Sequence, residues 1–385
     1  MKEITERVKG NDGRMDLPTL TISAGQGWLN QKDRFSGNIA GKEQKNYTLL
    51  LKNELSYNHG NSKLAKYGAV FLLKTYEEAL VPRVYHSFKS TKNSDPDFLE
   101  YIFATKKPDK ELGKLVSSGA RMDGLLNINY DDFSNIKINI PHVHEQKKIS
   151  NLLRKIDNTI TLHQRKLEQL KELKTAYLQV MFVSMKTKNN KVPKLRFADF
   201  GGEWDQRKSK ELFIPKSEKN QPNLPVLSVT QDSGVVYRDQ VGIDIKYDST
   251  TLKNYKVVNK NDFVISLRSF QGGFELSDKK GITSPAYTIF VPKDIKLHDN
   301  LFWKTQFKTF QFIEALKTVT FGIRDGKSIS FTEFGDLKLC FPKNKKEQQK
   351  IGKFFEELDY AISLHQNKLT QLKSLKKSYL QNMFI

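Results

Sequence analysis

The most constraining feature of the chain is a 39-residue segment that occurs twice. Residues 144–182 and residues 346–384 align without a gap, and about 20 of the 39 aligned pairs are identical. The offset is a constant 202 residues, as between Glu145 and Glu347. Because a globular stretch precedes each copy, the repeat predicts two tandem halves, each made of a domain followed by the same element.

Both copies have the periodicity of a long amphipathic helix. Apolar residues recur in alternating steps of four and three, which is the two-per-heptad pattern of a coiled-coil seam. Pro141 and Pro342 stand just upstream, where a helix can begin but not continue. At about 1.5 Å per residue, each helix should be roughly 55–60 Å long. The predicted seam residues are Ile149, Leu153, Ile156, Ile160, Leu167, Leu170, Tyr177 and Met181 in the first copy, and Ile351, Phe355, Leu358, Ile362, Leu369, Leu372, Tyr379 and Met383 in the second.

The two helices carry the same seam, and packing one seam on the other is the simplest way to bury both. An antiparallel coiled coil with approximate two-fold symmetry is therefore predicted. His163 and His365 occupy seam positions, where a role in packing or register is favoured over metal binding or acid–base work. Lys174 and Lys376 are also seam residues, and we expect them to bury their alkyl stems and extend their amines to solvent.

The net charge of the chain indicates which class of partner it binds. Its 385 residues include 64 Lys and Arg against 43 Asp and Glu, which gives a formal net charge of +21. An excess of that size favours a polyanionic partner, most often nucleic acid, although lysines on the outer faces of solvated helices would account for part of it. Cys340 is the only cysteine, no run of 18 apolar residues occurs, and the N-terminal segment is polar. We therefore expect a cytoplasmic protein without disulfides or membrane spans.

The two globular stretches differ more than the helices do, but they share a strand-rich skeleton. Residues 17–23 match residues 224–230 as an alternating, strand-like run, and a turn followed by a strand begins at both Lys52 and Lys260. We therefore predict a mixed α/β (α+β) fold, in which two homologous but diverged domains are joined by the helix pair. The predicted segments are a first domain at 1–143, a first helix at 144–187, a second domain at 188–342 and a second helix at 343–385.

Catalytic motifs are not recognisable in the sequence. The nearest approach to an adenine-methyltransferase loop is the stretch at 94–98, which lacks the second proline and is better interpreted as a helix N-terminus. No Walker A sequence is present. The triplet at 294–296 is weak evidence for a nuclease, because no upstream metal-binding carboxylate accompanies it. We therefore expect a non-catalytic protein with no cofactor and no metal site, rather than a fused methyltransferase or nuclease.

Three motifs together resemble those of one known family. They are the Glu-Gln-x-Lys-Ile start after a proline, the Leu-x-Gln-Leu-Lys helices that end in Tyr-Leu-Gln-x-Met-Phe, and the segment at 192–204 that opens the second domain. Over essentially the whole chain, this set is similar to that of the specificity subunits of type I restriction-modification systems. A segment like 192–204 would be expected before the first domain too, but the chain begins at a point that corresponds to about Leu212. We therefore expect the first domain to lack an opening strand or helix.

The resemblance implies a function and a set of partners. Each domain would be a target recognition domain that reads one half of a bipartite, asymmetric sequence in double-stranded DNA, and the helix pair would set the distance between the halves. The helices would also dock two methyltransferase (modification) subunits, and the full complex would add two ATP-dependent restriction subunits. S-adenosylmethionine, ATP and magnesium would belong to those partners. The alternative is a non-catalytic, nucleic-acid-binding coiled-coil adaptor outside restriction-modification.

The candidate DNA contacts are basic and polar residues in loops, because such side chains read base edges in the major groove. The stretch at 266–273 follows a predicted strand and combines polar donors with a flexible backbone, and its counterpart in the first domain is 56–63. Arg121 and Arg324 are equivalent arginines beside closing Asp-Gly turns, where pairing with the neighbouring aspartates is the alternative. The predicted DNA-binding residues are Tyr57, Asn58, His59, Lys63, Arg83, Arg121, Arg238, Arg268, Ser269, Gln271 and Arg324.

Overall fold

The chain divides into two compact units in the computed structural model. Unit 1 comprises Met1–Gln164 and Asn367–Ile385, and unit 2 comprises Arg165–Gln366. Each unit therefore contains one globular domain and a part of each long helix. The structure describes residues 1–35, 41–116, 125–184, 191–230, 234–241, 249–266, 273–319 and 329–384.

The globular part of unit 1 is rich in short antiparallel strands. Its elements are β1 (Thr5–Val8), β2 (Leu20–Ser23), β3 (Gly27–Asn30), α1 (Gln31–Phe35), a 3-10 helix (Gly41–Asn46), β4 (Thr48–Leu51), β5 (Leu55–Asn58), β6 (Ala69–Leu72), β7 (Glu78–Val81), β8 (His86–Ser90), α2 (Pro96–Ala104), α3 (Asp109–Leu115) and α4 (Tyr130–Asn135). A four-stranded sheet has the order β1-β8-β5-β6, and β2 with β3 and β4 with β7 form two-stranded sheets. The first long helix, α5 (Val143–Val180), follows the domain in the sequence.

Unit 2 repeats this arrangement with an additional strand pair. Its elements are β9 (Asp205–Lys208), α6 (Ser209–Leu212), β10 (Phe213–Lys216), β11 (Leu227–Thr230), β12 (Gly234–Tyr237), two 3-10 helices (Arg238–Val241 and Ser249–Asn254), β13 (Lys256–Val258), β14 (Phe263–Ile265), β15 (Phe274–Leu276), β16 (Gly281–Thr283), β17 (Thr288–Pro292), α7 (Asn300–Gln306), α8 (Phe310–Val319), α9 (Phe331–Gly335), β18 (Lys338–Phe341) and the second long helix, α10 (Lys345–Asn382). The four-stranded sheet has the order β10-β17-β14-β15, which is equivalent to that of unit 1. The predicted fold class is therefore confirmed.

The described part of unit 1 has no counterpart of β9, and residues 1–4 form a turn where unit 2 has α6. The correspondence can be placed by hydrogen bonds. The Met1 amine donates to the Ile136 carbonyl at 2.9 Å, as the Ser209 amide donates to the Leu337 carbonyl at 2.8 Å. Met1 therefore corresponds to Ser209, slightly earlier than the predicted Leu212.

The long helices pack against each other within each unit, through the predicted seam. In unit 1 the first half of α5 and the last half of α10 join one apolar core, which includes Leu153 and Phe384. In unit 2 the last half of α5 and the first half of α10 join another, which includes Met181 and Ile351. The helix segments are therefore antiparallel in each unit. All 16 predicted seam residues are buried or half-buried, because this stripe is the apolar face of each helix.

A buried glutamine near the start of each long helix fastens the helix to its domain. Gln146 Nε2 donates to the Pro141 carbonyl at 2.8 Å, and its Oε1 accepts from the Asp95 amide at 3.0 Å. Gln348 makes the equivalent bonds to Pro342 at 2.8 Å and to Asp299 at 2.9 Å. Both glutamine side chains are fully buried and cannot bond to water. These hydrogen bonds therefore satisfy side-chain amide groups that would otherwise have no partner.

The aspartates held in this way cap helices α2 and α7. The Asp95 carboxylate accepts from the Phe98 amide at 2.9 Å, and the Asp299 carboxylate accepts from the Phe302 amide at 3.0 Å. These N-caps satisfy amides that have no partner inside the helix. The prediction that residues 94–98 form a helix N-terminus is confirmed.

The amines of the two seam lysines are paired, whereas we expected them to extend to solvent. The Lys174 and Lys376 amines do not simply extend to solvent, because each forms an ion pair with an aspartate of the facing helix. His163 and His365 are half-buried at the seam. Of the helices that the structure describes, none is long and apolar enough to cross a membrane.

Candidate nucleic-acid interface

A cleft of about 470 Å³ in unit 1 is lined by cations and contains no acidic residue in its lining. The cations come from three separate parts of the chain, which are the end of β1, the 3-10 helix before β4, and the turn between β7 and β8. The charged and aromatic lining residues are Arg7, Lys9, Lys45, Tyr47, Arg83 and Tyr85. A concave surface with one sign of charge concentrates counter-ions, and phosphate groups are the polyanions that such a surface binds best.

The backbone fixes the shape of this cleft. Strand β1 pairs with β8, so that Val8 lies opposite Ser87, and the Gly10 carbonyl then accepts from the Leu49 amide at 2.8 Å. Tyr85 also lines the cleft. Its hydroxyl lies 3.0 Å from Thr21 Oγ1 and accepts from the Ile22 amide at 3.2 Å. These hydrogen bonds therefore fix the backbone around the cations.

The four cations of the cleft are Arg7, Lys9, Lys45 and Arg83, and none of them has an ion-pair partner among the residues that the structure describes. The Arg7 guanidinium lies over the ring of Tyr130, 4.3 Å from its centroid, which orients the side chain and leaves its charge unneutralised. By contrast, Arg14 is paired with both Asp12 and Glu78. Unpaired cations are the groups that can neutralise phosphates.

The same three residues recur at the corresponding place in unit 2. Lys45 and Asn46 end the 3-10 helix of unit 1 and Tyr47 follows it, just as Lys253 and Asn254 end the second 3-10 helix of unit 2 and Tyr255 follows that one. The equivalence is supported by the amide of Val257, which donates to the Glu218 carbonyl at 2.8 Å as Leu49 does to Gly10 in unit 1. Both domains thus present a lysine, an amide and an aromatic ring at one structural position.

Further cations surround Tyr255 in unit 2. The Arg238 guanidinium lies 5.8 Å from the centroid of the Tyr255 ring, and Arg238 Nε donates to Ser228 Oγ at 3.3 Å. Burial lowers the pKa of Lys256, and the nearby charge of Lys219 acts in the same direction. Lys256 and Lys219 are thus close enough for their charges to interact, and a group of cations of this kind attracts anionic ligands.

Two predicted DNA contacts lie in the interior of unit 1. Tyr57 is fully buried, its hydroxyl donates to the Tyr67 carbonyl at 2.7 Å, and burial raises its pKa. His59 is also buried, and its ring nitrogens lie 2.6 Å from the Leu126 carbonyl and 2.9 Å from the Val84 carbonyl. The structure therefore gives both side chains a packing role in place of the predicted DNA contact. The physical reason is that Tyr57 belongs to β5, an inner strand of the four-stranded sheet, and that His59 directly follows this strand with both ring nitrogens within hydrogen-bond distance of backbone carbonyls.

The other predicted contacts have mixed positions. Asn58 is half-buried, and its amide bonds to the Ile22 carbonyl at 3.3 Å and to the Gly60 amide at 3.0 Å. Lys63 is exposed, Arg83 lines the cleft of unit 1, and Arg238 lies beside Tyr255. The predicted contacts that lie outside the described residues are Arg121, Arg268, Ser269, Gln271 and Arg324.

Arg7, Lys9, Lys45 and Tyr47 line the cleft but are not among the residues predicted from the sequence. A usable signal was present, because Lys-Asn-Tyr occurs in both domains at an offset of 208 residues. In the part of the chain that the structure describes, no group of three His, Cys, Asp or Glu residues is placed to hold a metal ion. Cys340 is buried, and burial raises the pKa of its thiol.

Comparison with known proteins gives two matches to one family model. The model describes the type I restriction modification DNA specificity domain, and it matches residues 10–172 and 202–374. Each match covers one globular domain and most of the long helix that follows it. The two matches therefore coincide with the internal repeat.

Two relatives from Methanocaldococcus jannaschii are similar in sequence. The putative type I restriction enzyme MjaX specificity subunit is 22% identical over 302 residues, which cover 74% of this chain and 66% of the relative. The type I restriction enzyme MjaVIII specificity subunit is 23% identical over 301 residues, which cover 74% of this chain and 69% of the relative. The matched region thus spans about two thirds of the length of these relatives.

A solved structure shares the fold over the whole chain. It is the crystal structure of the S subunit of a type I restriction-modification system from M. genitalium, with a TM-score of 0.58 and 15% sequence identity. The alignment covers 100% of this chain and 94% of that one. The repeated family-model match, which covers most of the chain, and this common fold lead to one conclusion: the chain belongs to the family defined by the type I restriction modification DNA specificity domain.

Proposed function

We propose that the chain is the DNA-specificity subunit of a type I restriction-modification complex, in which each domain reads one half of a bipartite, asymmetric target. The observation that carries the proposal is the recurrence of Lys45-Asn46-Tyr47 as Lys253-Asn254-Tyr255 at one structural position, beside further cations in each domain. Two equivalent basic surfaces on one chain suit two segments of one DNA duplex. The M. jannaschii relatives are themselves described as specificity subunits, which supports the same role.

The cleft of unit 1 and the equivalent basic residues of unit 2 are proposed to position the DNA rather than to read its sequence. Lysine and arginine contacts to phosphates supply affinity and fix the register of a protein on the duplex, but they carry no base information. Base reading is assigned to other residues. Lys63 is exposed, whereas Arg121, Arg268, Gln271 and Arg324 lie outside the described residues and remain predictions. This division would account for two domains that share the Lys-Asn-Tyr motif and yet differ in loop sequence.

The long helices are proposed to dock two methyltransferase subunits. Leu162 and its repeat equivalent Leu364 are 68% and 56% exposed, and Leu173 and its equivalent Leu375 are each 42% exposed. Large apolar side chains that face solvent at matching positions of a repeat indicate a duplicated contact surface. A duplicated surface fits two copies of one partner. Two ATP-dependent restriction subunits would complete the assembly.

Chemistry is proposed to reside entirely in those partners. The sequence contains no methyltransferase loop, Walker A motif or nuclease motif in a suitable context. S-adenosylmethionine, ATP and magnesium would therefore be bound by the methyltransferase and restriction subunits. The role of this chain would be to select the DNA sequence on which they act.

The helix pair is proposed to set the number of unread base pairs between the two half-sites. Each helix has 38 residues, which corresponds to about 57 Å at 1.5 Å per residue. Because both domains are attached to the same pair of helices, the length of the pair would limit the distance between the DNA segments that the domains bind.

The modular proposal can be tested by exchanging one domain. Residues 212–342 are replaced by the corresponding segment of another family member, the hybrid is expressed with its methyltransferase subunit, and methylated adenines are mapped genome-wide. We expect one half of the methylated sequence to change and the other half to stay the same. The reciprocal exchange in the first domain should change the opposite half. A change in both halves or in neither would contradict modular reading.

Two point variants refine the same test. Arg268→Ala or Gln271→Ala should relax recognition only in the half read by the second domain, at a cost of roughly 1–3 kcal/mol if the native side chain bonds to a base edge. Failure to associate with a methyltransferase, combined with binding that does not depend on DNA sequence, would favour the coiled-coil adaptor instead.

A further inference from the structure

A closed turn lies in the connection between β5 and β6. The Ser62 amide donates to the Ala65 carbonyl at 3.2 Å, and the Ala65 amide donates to the Ser62 carbonyl at 3.1 Å. The Ala65 amide is also within 3.1 Å of Ser62 Oγ, which accepts from it. Lys63 and Leu64 are therefore the two central residues of a small antiparallel hairpin, and both are exposed.

The residues on either side of this turn are fixed to the domain. On one side the ring nitrogens of His59 lie 2.6 Å from the Leu126 carbonyl and 2.9 Å from the Val84 carbonyl. On the other side the buried Tyr57 donates its hydroxyl hydrogen to the Tyr67 carbonyl at 2.7 Å. A turn that is held at both ends presents its central side chains at a defined place on the surface.

The turn is anchored beside the cleft of unit 1. Val84, whose carbonyl is bonded to His59, directly follows Arg83 of the cleft lining. Residues 55–76 contain no Asp or Glu, and the lysines on either side of the turn centre are exposed. A polyanion that binds to the cleft cations would therefore meet a turn that also carries positive charge.

Leu64 is placed where packing within the domain does not account for a leucine. Its side chain is 70% exposed, which is the largest value for an apolar residue in the described part of unit 1. Its Cδ1 lies against the turn between β2 and β3, where a β-carbon on Gly25 would come within 3.1 Å of it. The centre of a β-turn usually carries Gly, Asn, Asp or Ser. Leu64 therefore offers apolar surface to a ligand from a fixed position.

We propose that Leu64 is a specificity-determining residue of unit 1. The turn would enter the major groove of the half-site, and Leu64 would pack on the methyl group of a thymine. This inference rests on the proposed function, in which the first domain reads DNA. The major groove is about 12 Å wide and admits a two-stranded β-ribbon, and the thymine methyl is the apolar group that it presents. The charge of Lys63 would attract the duplex to the turn.

The test is a double-mutant cycle between Leu64 and the thymine methyl group. The full-length chain, with its methyltransferase subunit, is bound to a duplex that contains the target found by mapping methylated adenines. In the half assigned to the first domain by the domain exchange, each thymine on either strand is replaced in turn by deoxyuridine, which removes only the methyl group. Binding is measured by fluorescence anisotropy of the labelled duplex.

One of these replacements should weaken binding of the parent chain about fourfold, which corresponds to one apolar carbon that is no longer buried. Leu64→Ala should weaken binding to the thymine duplex by at least as much. The same replacement by deoxyuridine should then cause no further loss, because the partner of the methyl group is already absent. Replacements in the half read by the second domain should affect the parent chain and Leu64→Ala equally.

Leu51→Ala is the matched control. Leu51 is an exposed leucine of the same unit, but it pairs with Glu78 at the end of β7 that is remote from Val84. Leu51→Ala should therefore keep the affinity of the parent chain and its response to deoxyuridine. Both substitutions shorten exposed side chains, so both variants should fold.

Two results would overturn the inference and leave the proposed function in place. One is sequence-specific binding in which no deoxyuridine replacement is coupled to Leu64. The other is a first half-site that contains no A·T pair. Binding without any sequence preference would overturn both the inference and the proposed function.

Discussion

Lys174 of α5 forms an ion pair with Asp359 of α10, with 2.5 Å between Nζ and Oδ1. The repeat equivalents make the same pair in unit 1, where Lys376 lies 2.6 Å from Asp157. Each pair fixes the antiparallel register of the two helix segments in its own unit. The lysines at seam positions therefore favour one register of the two helices over shifted ones.

The first prediction concerns this register. Lys174→Asp or Asp359→Lys alone should destabilise the protein by about 1 kcal/mol, because each places like charges face to face in a partly exposed site. The double charge reversal should recover most of that loss, since it restores an ion pair with the opposite polarity. Chemical denaturation of the two single variants and the double variant measures the coupling. Additive losses would show that the pair has no role in register.

The second prediction concerns the cleft of unit 1. Lys45→Ala combined with Arg83→Ala should weaken binding to all DNA sequences alike. The slope of the logarithm of affinity against the logarithm of salt concentration should fall by about 0.9 for each phosphate that is no longer neutralised. Binding isotherms between about 50 and 200 mM salt give this slope.

The matched control for the cleft is Lys114→Ala. This lysine is paired with Glu111 and lies outside the cleft lining, so its replacement removes one charge and leaves the cleft cations in place. The salt slope of the control should equal that of the parent chain. The control removes one charge and the cleft variant removes two, so a loss of affinity in the control about half that in the cleft variant would mean that only net charge matters.

The third prediction tests whether the helices set the spacer. Seven residues that continue the heptad pattern are inserted after both Gln164 and Gln366, at the boundary between the units, so that the interactions inside each unit are kept. The insertion adds about 10 Å, which is about three base pairs of B-DNA. Genome-wide methylation mapping should show the same half-sites with a spacer about three base pairs longer.

Seven residues are preferred to four because a heptad preserves the seam, whereas four residues shift its phase. The control is the insertion in α5 alone, which should impair stability and methylation because the two seams no longer align. Full methylation with an unchanged spacer in the double insertion would show that the helices do not determine the distance.

The fourth prediction concerns pH. Burial lowers the pKa of His86 to about 4, and the nearby His59 and Arg7 act in the same direction, whereas the hydrogen bond from Nε2 to the Ile128 carbonyl opposes it. In the unfolded chain the group has a pKa near 6.5, so below that pH the unfolded state binds the proton first. Stability should therefore be complete above about pH 6.5 and fall by up to about 3 kcal/mol as the pH approaches 4.

The variant His86→Phe should flatten this part of the stability profile, although its stability at neutral pH should fall because the bond to Ile128 is removed. His144→Phe is the control, because His144 is exposed and should leave the profile unchanged. Equilibrium denaturation at several pH values gives the comparison. A parent chain as stable at pH 4.5 as at pH 7 would refute the assignment.

The fifth prediction is that the purified chain neither methylates nor cleaves DNA, because the chemistry is assigned to its partners. Transfer of labelled methyl groups from S-adenosylmethionine should appear only when the methyltransferase subunit is added. Robust transfer by the chain alone would disprove the assignment.

The sequence by itself determined the repeat, the long helices and their seam. This was possible because a helix places residues three and four positions apart on one face. The spacing of apolar residues along the sequence therefore indicates which face is buried. Leu153 and Ile351 were therefore recognised as buried without knowledge of the rest of the fold. The family resemblance rested on the same contiguous motifs.

The tertiary structure decided which polar residues are buried and which line a cleft. Tyr57 and His59 have the composition of a DNA-reading loop, yet β5 is an inner strand and their polar atoms are used by backbone groups. The cleft instead joins Arg7, Lys45 and Arg83, which are distant in sequence and meet only because β1, β4 and β8 come together. Local spacing specifies which face of a helix is buried, but a concave surface depends on strand order, which only the folded chain defines.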